Sequence, residues 1–298
     1  MIKLTFLGTS AQIPSAKRNH PAMLLKYENE NILVDCGEGA QRQFRKAELN
    51  PCKTTRLLIT HWHGDHVLGI PGLLQTLAFS GYNKTLFIYG PKGTKQFIKN
   101  MFKAFVFVEK FKIKVEEVSG KFFENKDFYL EAKPMTHGIA CNAYSFVKKG
   151  KIRIDKEKLK KSKLSQSPLL QKLKQGKDIM HKGKKYLSKN LTFTEGDKKI
   201  SFVLDTSLNN KIVPFVKNSD LLIMESSYGS ELTAKAKEHK HMTTKQAATI
   251  AKKSGSKKLV LTHISQRYGD RLKSLLNEAK KVFENTVIAE DLDVVEVK

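Results

Sequence analysis

Residues Leu57 to Leu68 read LLITHWHGDHVL. Within six positions this stretch offers His61, His63, Asp65 and His66, side chains that bind metals as neutral imidazole or ionised carboxylate, directly behind the apolar run Leu57-Leu58-Ile59. If Leu57 to Thr60 is a buried strand that ends where the motif begins, His61 and His63 project to one side of an extended chain and can share one metal. Trp62 then points the other way, into packing. Gly64 lets the backbone turn, so Asp65 and His66 aim at a second metal close to the first. A lone histidine at a strand end is more often a polar loop residue than a ligand, but four donors around a turn glycine reverse that weighting.

The same event, an apolar strand that ends in a potential ligand, recurs outward from this motif. The strand Phe128 to Lys133 leads to His137, Phe202-Val203-Leu204 ends at Asp205, and Lys258 to Thr262 delivers His263. Asp205 is a carboxylate that could bridge two metals. Asp35, in DCGEG, also lies at a strand end, where its expected task is to hydrogen-bond the turn or to orient a ligand from behind. Donors gathered at strand ends across the chain imply a sandwich of sheets with one active edge, flanked by helices, and not a local metal finger. Two metals in such a place support hydrolysis of a phosphodiester.

Whole-chain properties narrow the class. The 298 residues are 40% hydrophobic, ample for a sizeable core. No apolar run approaches the length of a membrane span and the start MIKLTFLG carries no signal-type segment, so the expected location is the cytoplasm. Cys36, Cys52 and Cys141 are too few and too irregular for a disulfide framework or a cysteine zinc site. The formal net charge of +25 points to a polyanionic partner. Much of it is local: Lys148 to Asn190 holds sixteen Lys or Arg against three acids. Pro168 and Gly176 interrupt its few leucines, so the segment is expected to be a protruding arm without a core of its own, clamping phosphates without reading sequence.

Local signals complete the reading. A helix should start properly near Pro71. Leu191–Thr194 and Lys199–Leu204 read as a hairpin over Gly196-Asp197. Thr243-Thr244-Lys245-Gln246 is a capping-box pattern opening a helix that runs to about Lys253. It places His241 near a positive helix end, where an imidazole could reach the leaving oxygen of a phosphate.

HWHGDH matches the HxHxDH signature of metallo-β-lactamase-fold hydrolases. FLGTSAQIPS, ILVDCGEGAQRQ, HMTTKQAA and the basic insertion before the Asp205 strand resemble ribonuclease Z, the endonuclease family that trims the 3′ ends of precursor tRNA. The resemblance implies an α+β fold, an αββα sandwich in one domain over residues 1–298 with an inserted basic exosite arm at 148–190. It implies two zinc ions, with manganese or iron as other candidates: His61, His63 and His137 on one, Asp65, His66 and His263 on the other, Asp205 between them. Asp65 would accept the proton of the attacking water and His241 would assist the departing ribose oxygen. Arg18 and Asn19 match part of a family loop, although Ala16 stands in its lysine slot. Together with Lys160, Lys161, Lys163, Lys172 and Lys174 of the arm they would touch the substrate. The family further implies a homodimer. The competing reading, a hydrolase of a small phosphodiester, lactone or thioester on the same fold, leaves the arm without a purpose.

Overall fold

The computed structural model describes residues 1–107, 110–162, 164, 167–269 and 271–298. Two mixed sheets of seven strands dominate it. The first is built from β1 (Ile2–Gly8), β2 (Ala22–Tyr27), β3 (Glu30–Val34), β4 (Arg56–Leu58), β5 (Leu86–Gly90), β6 (Ile113–Glu117) and the last strand, β18 (Val294–Val297), in the order β18-β1-β2-β3-β4-β5-β6. The second contains β7 (Gly120–Glu124), β8 (Phe128–Pro134), β9 (Asn142–Lys148), β14 (Lys198–Val203), β15 (Leu221–Glu225), β16 (Leu259–Thr262) and β17 (Thr286–Ile288), in the order β17-β16-β15-β14-β9-β8-β7. The strands β3-β4-β5 run parallel in the first sheet and β14-β15-β16 in the second, so within each set the C-terminal ends share one edge, while His137 follows β8, outside these sets.

Alternation along the strands explains the layering. In β2, Ala22 and Leu24 join an outer core with Phe44, Leu73, Leu77 and Ile98 of the helices Ala40–Lys46, Ile70–Phe79 and Thr94–Ala104. Met23 and Leu25 are equally buried on the opposite face. In β9, Ala143 belongs to the other outer core, with Ala247, Ile250 and Ala251 of the helix Thr244–Lys253. Tyr144 and Phe146 face inward, where Phe146 meets Tyr27 of the first sheet with ring centroids 5.5 Å apart. This is an α+β sandwich of the αββα kind. Each fully buried Phe such as Phe6, Phe146 or Phe202 contributes on the order of 1.5–3 kcal/mol by leaving water.

The chain divides into two compact units: Met1–Phe123 with Leu130–Phe146 and Lys199–Lys298, and Glu124–Tyr129 with Val147–Lys198. Two sequence expectations fail in the second. The basic segment has a small core after all, because Leu164, Leu173, Ile179 and Leu191, far apart in sequence, converge and are covered by Ile154, Leu159, Leu169, Leu170 and Tyr186. The hairpin of Leu191–Thr194 with Lys199–Leu204 does not form. β13 (Thr192–Thr194) pairs with β10 (Ile152–Ile154), and a second small pair joins β11 (Ile179–His181) to β12 (Lys184–Tyr186). β14 instead lies inside the large sheet, Ile200 beside Leu221, because Ile200 to Val203 are buried on both faces and need neighbours on both edges.

The helix expected near Pro71 begins at Ile70, with Pro71 in its first turn, after a separate helical turn at Gly64–Val67. Gly69 between them serves close packing: a Cβ there would lie 2.0 Å from the Gly37 carbonyl oxygen. The DCGEG turn can therefore bond directly to the metal motif, Cys36 N to His66 O at 2.8 Å and Gly69 N to Cys36 O at 2.9 Å. Among the described residues no helix is long and apolar enough to cross a membrane.

Candidate metal centre

β4 ends at Leu58, and the chain stays extended through His63 before the helical turn Gly64–Val67 starts. His61 and His63 accordingly meet, Nε2 to Nδ1 at 3.0 Å, while Trp62 turns away, stacks on Phe97 and donates to Thr94 Oγ1 at 2.9 Å. The helical turn swings Asp65 and His66 to a second position. His137 arrives after β8 with Nε2 at 3.3 Å from His63 Nδ1. Asp205 follows β14, and His263 follows β16 in a left-handed backbone conformation, φ 57°. Such a conformation is uncommon for a side chain with a Cβ and marks a residue whose direction the surroundings impose.

Three overlapping donor groups result. His61, His63, His137 and Asp205 offer one set of mutually close ligand atoms, Asp65, His66 and His263 another, and Asp205, His241 and His263 a third that shares members with both. The Asp205 carboxylate stands between the first two. Its Oδ2 lies 3.5 Å from His61 Nε2 and 3.9 Å from His137 Nε2. Its Oδ1 lies 3.2 Å from His263 Nε2 and 3.6 Å from His66 Nε2. Asp65 Oδ2 completes the second group at 3.3 Å from His66 Nε2 and 3.4 Å from His263 Nε2.

The donor set fits a pair of metal ions. Zinc–nitrogen bonds of about 2.0–2.1 Å place tetrahedral donors roughly 3.3 Å apart, the spacing found here. Three imidazole nitrogens facing one another at 3.0–3.3 Å have too few protons between them to form a hydrogen-bond set. Asp205 Oδ1 is buried and accepts no hydrogen bond. Burial, with the neighbouring His66, drives the His61 imidazole to its neutral, ligating form, and burial also lowers His137. Burial works the other way on Asp65, but the adjacent His263 and His66 rings hold its carboxyl far below the usual carboxylate range.

Groups behind the donors orient them. Asp35, itself left-handed at φ 56°, accepts from Thr60 N and Thr60 Oγ1 and faces His66 Nδ1, each at 2.7 Å. Its turn-binding and ligand-orienting tasks are thus both present. Ser227 Oγ meets His263 Nδ1 at 2.9 Å, and the Lys240 carbonyl meets His137 Nδ1 at 3.1 Å.

His241 is brought to the same cluster, its Nδ1 4.0 Å from Asp205 Oδ2. Sequence reasoning left its partner unassigned: Glu225, at the end of β15, is wholly buried and lies 2.9 Å from His241 Nδ1 through Oε2. The only sequence signal for Glu225 was an acid closing an apolar strand, the pattern that marked Asp205. Burial pulls the His241 pKa down, but the Glu225 carboxylate outweighs it and raises the value to about 9. An ionised carboxylate only accepts, so Nδ1–H donates to Glu225 and Nε2 is left for a substrate.

The cluster lines an open cavity of about 510 Å³ whose rim includes Gln12, Ile13, Tyr228, His239 and Arg267. Arg18 and Asn19 do not line the cavity, and most of their polar groups bond to the protein itself, Arg18 Nη2 excepted. Arg18 Nη1 donates to Thr9 Oγ1 and the Ala289 carbonyl, while Asn19 donates from its backbone to Asp291 Oδ2 and from Nδ2 to the Glu38 carbonyl. They anchor the loop that carries Gln12 and Ile13.

In the basic unit, Lys160, Lys161, Lys172 and Lys174 are exposed and form no ion pair among the described residues; Lys163 lies outside those residues. Four nearby acids are taken by other cations: Asp155 by Lys158, Asp178 by Lys185, Glu195 by Lys148 and Arg153, Asp127 by Lys151; Glu157, on the helix of Lys160 and Lys161, forms no ion pair among the described residues.

Two sheets carrying two histidine-rich donor sets on a common strand edge, with one aspartate between them, define a metallo-β-lactamase-fold metal hydrolase. Comparison with known proteins narrows the class. The chain is 38% identical over its whole length to ribonuclease Z of Methanothermobacter thermautotrophicus, covering 97% of that protein. It is also 38% identical to ribonuclease Z of Listeria welshimeri, with 99% of each chain covered. The short form of human tRNase Z superposes with a TM-score of 0.73 at 28% identity, over 99% of both chains. The metallo-β-lactamase-fold protein YhfI of Bacillus subtilis shares the fold with a TM-score of 0.71 at 21% identity, over 99% of this chain and 98% of its own. A family described as Anti-Pycsar protein Apyc1 matches residues 2–150, the half that contains HWHGDH. The chain belongs to the ribonuclease Z family.

Proposed function

We propose that the chain removes the 3′ trailer from precursor tRNA by attack of water on a phosphodiester, leaving a 3′-hydroxyl on the tRNA, and that it works with two zinc ions as a homodimer. The observation that carries the metal count is Asp205, whose two oxygens face different histidine sets. His61, His63 and His137 would hold one ion, Asp65, His66 and His263 the other, and Asp205 both. Such a pair supplies Lewis-acid polarisation of the scissile phosphate and makes the attacking water more acidic.

The chain's own residues do the rest. Asp65, whose Oδ2 lies 3.3 and 3.4 Å from the Nε2 atoms of His66 and His263, is placed to accept the proton of the attacking water. His241, kept protonated by Glu225, offers Nε2–H to the ribose 3′ oxygen as it departs. Buried Glu225 holds the ring in this tautomer and direction, so the proton is delivered without reorganisation. The basic unit Val147–Lys198 serves as an exosite: Lys160, Lys161, Lys172 and Lys174 are uncompensated cations suited to phosphates away from the cut. It supports RNA over a small ester, which would leave these cations without a ligand. Exposed Phe79, Phe105 and Val106, close in sequence to the outer helices of the first sheet, support a subunit interface.

Incubation with a precursor tRNA, followed by mapping of both new ends, tests the reading. A 3′-hydroxyl on the tRNA and a 5′-phosphate on the trailer are expected. A 2′,3′-cyclic phosphate would mean that the ribose and not water attacks.

A further inference from the structure

A second groove, about 680 Å³ and lined by both polar and apolar side chains, opens beside the metal pocket in the same compact unit. Three chain segments pass from one cavity to the other. Asp205, Tyr228 and His241 line the metal pocket, and Leu208, Ser230 and Thr243, two or three residues further on, line the groove. At about 3.8 Å per residue the groove begins within roughly 11 Å of the donor cluster. Anything leaving the scissile phosphate in that direction enters it.

The lining has the chemistry of a single-strand track. Lys245, Thr249 and Lys253 follow one face of the helix Thr244–Lys253, and no acidic side chain lines the groove among the described residues. The two lysines stand eight residues, or about 12 Å, apart along the axis. Neither forms an ion pair among the described residues. The helix end itself is already satisfied, by the Thr243–Gln246 capping box and by Glu278 accepting from Lys245 N, so the side chains are what remain for a phosphate. Opposite them, Leu208 is 54% exposed and offers an apolar face to a base, with the amide of Asn209 beside it.

We propose that this groove receives the single-stranded trailer immediately 3′ of the scissile phosphate, with Lys245 and Lys253 holding its phosphates. The inference rests on the endoribonuclease reading and names where that substrate's departing strand lies. The tRNA side of the cut leads into a base-paired stem, too wide for a groove of this size, whereas an extended strand of a few nucleotides fits it. Enzyme and product would then part in two steps, with the trailer held after the bond has broken.

The test compares the wild type with the double variant Lys245→Gln/Lys253→Gln on one tRNA body bearing either a long trailer or a single nucleotide. The ratio of kcat/KM for the long over the short trailer should fall about tenfold, and the salt slope of log affinity for the long precursor should decrease by about 1.4, the loss of two single-strand phosphate contacts. An unchanged ratio, or equal weakening on both precursors, would overturn the assignment. If the wild type cuts no precursor at all, the endoribonuclease reading fails instead. Fluorescence anisotropy with a labelled oligouridylate then decides the groove alone: weaker binding by the double variant sustains it, and equal binding removes it.

Discussion

His241 Nδ1 and Glu225 Oε2 lie 2.9 Å apart, a charge-assisted hydrogen bond whose carboxylate is wholly buried. The pair holds the imidazolium form, which is present at low pH and lost as pH rises through the histidine's folded pKa. Glu225→Gln keeps the shape and removes the charge. The basic limb of the kcat profile on precursor tRNA should therefore move to lower pH, with KM little changed. A profile identical to the wild type would separate Glu225 from proton delivery.

If His241 protonates the departing ribose oxygen, its loss matters only where the leaving group needs a proton. His241→Ala should lower kcat on precursor tRNA by about 10²–10⁴. Hydrolysis of bis(p-nitrophenyl) phosphate, whose leaving phenolate is stable unprotonated, should fall far less. Equal losses on both substrates would assign His241 to positioning of the cluster.

Asp205 Oδ1, buried without a hydrogen bond, is costly in the absence of a cation. Asp205→Ala should cut both bound zinc, measured by elemental mass spectrometry, and activity. Asp35→Asn, acting through His66 Nδ1, should retain the fold and weaken metal affinity by roughly 10–100-fold. A zinc-replete, fully active Asp205→Ala enzyme would refute the bridging assignment.

Leu164, Leu173 and Ile179 of the basic unit's small core lie between Lys151 and Lys189, and no residue of the two outer cores of the sandwich does. Deletion of Lys151 to Lys189 should spare bis(p-nitrophenyl) phosphate hydrolysis and strongly raise KM for precursor tRNA. Changing Lys160, Lys161, Lys172 and Lys174 together to Ala should flatten the salt dependence of tRNA binding, a slope readable by filter binding.

The seven donors and the sandwich were legible in the sequence because both follow from short-range rules. A parallel strand buried on both faces must be a continuous apolar run, and a ligand at its end is visible as the polar residue that closes the run. HWHGDH adds the spacing of an extended chain followed by a turn. Capping chemistry likewise announced the helix Thr244–Lys253, and the capping box is present as read.

What the linear chain could not decide was pairing between distant segments. Nothing local distinguishes β14 as a central strand from one arm of a hairpin, since the neighbours that bury Ile200 and Phe202 come from Leu221 onward and from β9. The arm's leucines look too sparse for a core until four segments converge. The linear chain shows no partner for Arg18; Thr9 and Ala289, the latter 271 residues away, accept from it in the fold. Glu225 becomes a partner for His241 only when β15 and the loop before Thr243 meet at the same sheet edge. The residue types that can bind metal were thus set by local sequence. Which oxygen of Asp205 faces which histidines, and which acid charges His241, was decided by tertiary structure, because burial and distance exist only after the chain has closed on itself.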